Sequence, residues 1–89
     1  MAVVRLSSHA RKSYLRLARS DRRLWTRVDR ALDRLAENPE IGKPLAGPLR
    51  HHRSHRVGPL RIVYRIESNG DLSVLVLEIA QRGHAYRRA

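Results

Sequence analysis

Between Ile41 and Ile66 the chain carries no acidic residue, yet it holds Lys43, Arg50, Arg53, Arg56, Arg61 and Arg65 together with His51, His52 and His55. A second such stretch follows Glu78, with Arg82, His84, Arg87 and Arg88. Guanidinium forks match phosphate oxygens bidentately and stay charged, whereas imidazole changes its charge near neutral pH. Side chains of these two kinds can hold a polyanion and move a proton beside it. The totals agree: 19 Lys plus Arg stand against 8 Asp plus Glu, a formal net charge of +11, which attracts polyanions and speeds encounter with them. Arg22 to Arg34, by contrast, is interleaved with Asp29 and Asp33, so the positive field belongs mainly to the second half of the chain. The spacing of His51, His52 and His55 invites a zinc reading, but without Cys or nearby carboxylates no metal site is expected.

A sheet must position these cations. Two runs rich in Ile, Val and Leu flank Asn69-Gly70, the pair favoured in a two-residue turn whose central residues both need positive φ. If these two form the turn, Glu67 faces Leu72, Arg65 faces Val74, Val63 faces Val76 and Arg61 faces Glu78. Alternation then puts Leu60, Ile62, Tyr64 and Ile66 with Leu75, Leu77 and Ile79 on the core face. Arg61, Val63 and Arg65 with Val74, Val76 and Glu78 form the opposite, cationic face. In this register Arg61 could serve simply as a cross-strand ion-pair partner of Glu78.

Upstream, Ala2 to Leu6 reads as a short strand, and Ser7 or Ser8 can cap a helix carrying Ala10, Tyr14 and Leu17 on one face. Ser20 or Asp21 can cap a second, longer helix in which Leu24, Val28, Leu32 and Leu35 make an apolar stripe widened by Trp25 and Ala31. Asn38-Pro39 ends it. Glu40 to Leu49 contains Pro44, Gly47 and Pro48 and reads as a loop; Arg50 to Val57 suits a strand with one wet face. The expected class is α+β: two layers, with a short N-terminal strand, a helical hairpin, and an antiparallel sheet of three or so strands.

At 89 residues the chain, 1–89, is expected to form one domain, with a core of Leu, Val and Ile since Phe is absent. Cys is absent as well, which suits a reducing cytoplasm. Ser73 to Ala80 is too short an apolar run to span a bilayer, and the N-terminus shows no signal-peptide core, so no membrane association and a cytoplasmic location are expected.

The loop GKPLAGPL, the stretch RVGPLRIVY and the ending IAQRGHAYR occur in an order and spacing that resembles the RelE branch of the RelE/ParE toxin superfamily, the small basic toxins of type II toxin-antitoxin systems. The likeness covers nearly the whole chain. RelE members are ribosome-dependent mRNA endonucleases neutralised by an antitoxin segment that wraps the toxin; ParE members share the fold and act on DNA gyrase without a nuclease site. The resemblance implies that Arg61 and Arg82 bind the scissile phosphate, that Tyr86 stacks on a base near the cut, and that Arg56 assists. It implies a cognate acidic antitoxin in a hetero-oligomer, and the ribosome and mRNA as further partners. Two positions depart from the family pattern: Gln81 replaces a common histidine, and Ser54 stands where the best-known type of site has lysine.

Metal-independent cleavage through the 2′-hydroxyl needs a base, cations for the crowded phosphorane and a donor for the leaving 5′-oxygen, with no cofactor. Arginine is too weak a base, so His52, His55 and His84 are the titratable candidates, and His84 is favoured because it lies between Arg82 and Tyr86. Arg50, Arg53, His55, Arg65 and Arg87 are expected to bind RNA. The alternatives are a ParE-like gyrase inhibitor without nuclease activity and a non-catalytic RNA-binding module.

Overall fold

The computed structural model describes residues 1–81. Strand β1 (Val3–Leu6) leads into helices α1 (Ser8–Ser20) and α2 (Arg22–Glu37), and a 3-10 turn, Pro39–Ile41, follows. After the two-residue strand β2 (Lys43–Pro44) and a second 3-10 turn, Gly47–Leu49, come β3 (Arg53–Val57), β4 (Leu60–Asn69) and β5 (Asp71–Gln81). The five strands make one sheet in the order β1-β5-β4-β3-β2, with β1 parallel to β5 and every other pair antiparallel. The α+β class holds, and the sheet is larger than expected. The N-terminal strand joins one edge, and part of the Glu40–Leu49 loop pairs as a strand on the other.

Local chemistry sets the helix ends. Ser7 caps α1: its hydroxyl accepts the Ala10 N–H at 3.1 Å and donates to the Leu77 carbonyl at 3.1 Å, tying the helix start to β5. Asp21 caps α2 through the Leu24 N–H at 3.1 Å, and Asn38 ends it before the buried Pro39. Both helices cover one sheet face. Ala10, Val28, Ala31, Leu32 and Leu35 pack there against Leu60, Ile62, Tyr64, Val74, Val76 and Ile79. Trp25, expected in the core, is half-buried at its rim, with its ring 5.7 Å from that of Tyr14 and the Arg22 guanidinium 5.6 Å from its centroid.

The hairpin forms in a different register from the expected one. Only Gly70 takes positive φ (+88°), so Asn69 and Asp71 become Cα partners and the pairing slips by one residue. A slip of one exchanges faces. Val74 and Val76 therefore enter the core, while Leu75, the partner of Arg65, lies on the open face. A bulge then leaves Leu77 without a Cα partner, since Tyr64 faces Val76 and Val63 faces Glu78. Beyond it Ile79 faces Ile62 and returns to the core as expected, and Arg61 faces Ala80 instead of Glu78. Glu78 reaches toward α1, its Oε1 3.3 Å from His9 Nε2.

Candidate functional site

Leu60, Ile62 and Tyr64 point into the core, so Arg61, Val63 and Arg65, alternating with them on β4, lie on the opposite face, which no helix among the described residues covers, with Val63 buried there between its neighbours. Across β3 the same face carries Ser54 opposite Val63 and Arg56 opposite Arg61, and across β2 it carries Lys43 opposite Ser54. These residues surround a depression of about 250 Å³ lined by Lys43, Leu45, Ser54, His55, Arg56 and Arg61, with Ile41 at its margin. Among the described residues no carboxylate lines it. Three cations around one hollow form a receptor for an anion with several oxygens.

The loop that brings Ile41, Lys43 and Leu45 to the hollow is fastened from below. The Tyr64 hydroxyl donates to the Pro39 carbonyl at 2.6 Å and accepts the Gly42 N–H at 2.9 Å. Burial, above all, raises the Tyr64 pKa, so the hydroxyl keeps its proton to donate. Arg53 adds a second fastening, with Nη1 2.8 Å from the Gly42 carbonyl and 3.1 Å from that of Glu40. The Leu45 N–H donates to the His52 carbonyl at 3.0 Å. Gly42 is the residue that fits here, because a Cβ would lie 2.7 Å from Tyr64 Cε1.

His55 is half-buried, and its pKa is lowered first by desolvation and then by the charge of Arg34. Near neutral pH the ring is uncharged, and its Nε2 is enclosed without a hydrogen-bond partner among the described residues. His55 is the Cα partner of Ile62, so its ring projects from β3 on the helix side, toward Arg34 and away from the face of Arg56 and Arg61, and its enclosed Nε2 offers no base to a substrate on the open face.

Of the residues expected at the site, Arg56 and Arg61 share the open face at the depression, and His55 borders it with its ring turned to the helix side. Arg65 shares the face but is exposed and ion-paired with Glu67, Nη2 to Oε2 2.9 Å. Arg53 braces the loop, and Arg50 is exposed in the turn before β3. Arg82, His84, Tyr86 and Arg87 lie outside the described residues. Lys43 is the residue the sequence reading misses. It sits in the quoted loop motif, but only the pairing of β2 with β3 places it beside Ser54, so the cation on this part of the face comes from the neighbouring strand.

Residues 4–86 match the family model described as the ParE toxin of a type II toxin-antitoxin system, parDE. Among curated proteins the sequence has no match. The fold is similar to the YoeB/ParE toxin from Agrobacterium tumefaciens, with a TM-score of 0.81 and 20% identity over 90% of this chain and 98% of that one. It is also similar to a chain of the RelBE2 toxin-antitoxin complex from Mycobacterium tuberculosis, with a TM-score of 0.78 and 29% identity over 91% and 98%. A chain of the YoeB dimer from Staphylococcus aureus gives 0.75 and 18% over 91% and 97%.

Proposed function

We propose, from the cationic hollow on its open sheet face, that this member of the ParE toxin family of type II toxin-antitoxin systems is an endoribonuclease that cuts mRNA on the ribosome. The observation that carries this reading is the hollow itself. Arg56 and Arg61 are direct cross-strand partners beside Lys43, and among the described residues no carboxylate lines the hollow. Two guanidinium groups directly opposite each other can grip one phosphate together.

In the reaction the 2′-oxygen attacks phosphorus as His84 takes its proton, the role the sequence favours for it between Arg82 and Tyr86, and the bond from phosphorus to the 5′-oxygen breaks. The 5′-oxygen takes a proton, leaving a 2′,3′-cyclic phosphate and a 5′-hydroxyl. Arg56, Arg61 and Lys43 stabilise the phosphorane. β5 ends at Gln81 opposite Leu60, one residue from Arg61, and from this end of the sheet the chain continues into Arg82, His84 and Tyr86. Those three are assigned to the phosphate, to taking the 2′-proton and returning it to the 5′-oxygen, and to base stacking. A cognate antitoxin of acidic character, covering this face in a hetero-oligomer, would silence the site.

The match to a ParE description, with Ser54 and Gln81 in place of the usual groups, favours a second reading as a gyrase inhibitor. Inducing the protein in a tolerant bacterium and mapping mRNA 5′ ends separates the two. New ends within translated codons, absent from the Lys43→Ala and Arg61→Ala variants, support cleavage. Growth arrest with intact mRNA and induced DNA damage supports gyrase inhibition.

A further inference from the structure

A second cationic hollow, of about 420 Å³, lies between α2 and the β3–β4 turn, lined by Arg27, Arg30, Arg34, Arg56, Val57 and Gly58. The three helix arginines follow one another at intervals of three and four residues, which aligns them on one face over about 10 Å of helix. Among the described residues, none of the four arginines makes an ion pair, whereas Arg5, Arg53 and Arg65 each lie beside a glutamate. Charges of one sign gathered in a concave surface without counter-charges focus a field suited to an anion. That field reaches inward, since Arg34 contributes to lowering the pKa of His55.

We propose that this hollow is a second phosphate site, which holds the ribose-phosphate backbone of an RNA strand outside the cleavage site. Arg56 lines both hollows, and β2 pairs only with Arg53 and Ser54, so the edge of β3 beyond them is open. The cationic surface therefore runs from Arg61 over Arg56 to Arg34, Arg30 and Arg27, a continuous track for successive phosphates. Apart from the buried Val57 the lining offers no apolar anchor, and a protein segment needs one to bind tightly. The track therefore favours a nucleic-acid backbone over an acidic peptide. This binding does not require cleavage, so it can stand or fall apart from the endonuclease reading.

The test uses the full chain and 2′-O-methylated RNA, which cannot be cut. Fluorescence anisotropy across a salt series compares wild type with Arg30→Gln/Arg34→Gln, a pair of exposed positions that leaves Arg27 on Gly58 undisturbed. Loss of two phosphate contacts lowers the slope of log affinity against log salt by about 1.4 for a 15-nucleotide strand. Little change for a tetranucleotide, which fills only the hollow at Arg61, places the substrate strand on the track. An unchanged slope for the long strand, with weaker binding to ribosomes free of mRNA, instead makes ribosomal RNA the source of the phosphates. Arg16→Gln/Arg19→Gln on α1 removes equal charge; an equal loss there shows a diffuse field and overturns the site. So does an unaltered affinity in every RNA assay, or a loss confined to polyglutamate. The Arg61→Ala variant, assayed in parallel, loses cleavage and keeps the contribution of the α2 arginines.

Discussion

The Tyr64 hydroxyl accepts the backbone N–H of Gly42 while donating to Pro39, so a core residue of β4 fixes the loop that carries Lys43. Tyr64→Phe keeps the ring and leaves a buried N–H and carbonyl unpaired, at a cost of about 1–3 kcal/mol in urea unfolding. Gly42→Ala forces a methyl group against the same ring and costs about as much through overpacking. Both variants, assayed at a temperature where they stay folded, should weaken phosphate binding as Lys43→Ala does. Unchanged binding would show that the loop is held without this bond.

The pairing of Arg56 with Arg61 carries a trade between stability and function. Replacing the exposed Arg56 by Gln relieves the repulsion and should raise stability by about 0.2–1 kcal/mol at low ionic strength. The gain should shrink in 1 M salt, where the Debye length is about 3 Å. RNA affinity should fall in the same variant. Melts at two salt concentrations, combined with the anisotropy assay, test both parts.

Much of the fold was legible because its signals are local. Ser7, Asp21 and Asn38 are strong helix-end residues, and the stripe Val28, Leu32, Leu35 has a single helical period. β4 alternates between apolar and charged residues except at Val63, so its core face and the position of Arg61 on the other face could be read directly. β5 was not readable in this way. Val74, Leu75, Val76 and Leu77 are apolar at both parities, so nothing in the pattern resists a slip by one residue, and the turn alone had to set the register. Gly70 took the turn without Asn69 in positive φ, and the bulge at Leu77 followed. At the site, charge located the face and could not distinguish Arg53, whose guanidinium serves backbone carbonyls, from Arg56, which lines the hollow. Lys43 was hidden because a two-residue strand in a Gly- and Pro-rich loop has no periodicity.

His55 links stability to pH. Its folded pKa lies below the ordinary histidine value, so below about pH 6.5 the unfolded chain binds the proton more readily. The folded state therefore loses stability from this group as pH falls through that value, and the loss levels off below the folded pKa. His55→Asn lacks this contribution, and the variant should gain on wild type between pH 7.5 and pH 5. Cleavage should keep its pH profile in His55→Asn, because the ring lies on the helix side of β3, away from Arg61. Loss of the acid limb in His55→Asn would move the base role from His84 to His55.

Gly58 and Arg27 allow strain to be separated from packing. Gly58 has φ of +57°, and a Cβ there would meet Arg27 Nη1 at 2.9 Å. The guanidinium is the far end of a flexible side chain and can move aside, whereas the backbone conformation cannot be relieved without disturbing the β3–β4 turn. Gly58→Ala should therefore cost about 1–2 kcal/mol, the penalty of the left-handed region. Arg27→Ala alone should cost little. If strain dominates, the double variant is additive within about 0.5 kcal/mol, whereas a rescue by Arg27→Ala would assign the cost to the contact. In the RNA assay Gly58→Ala should still lower affinity, because a displaced Arg27 leaves the end of the α2 track, and Arg27→Ala should produce the same loss without the instability.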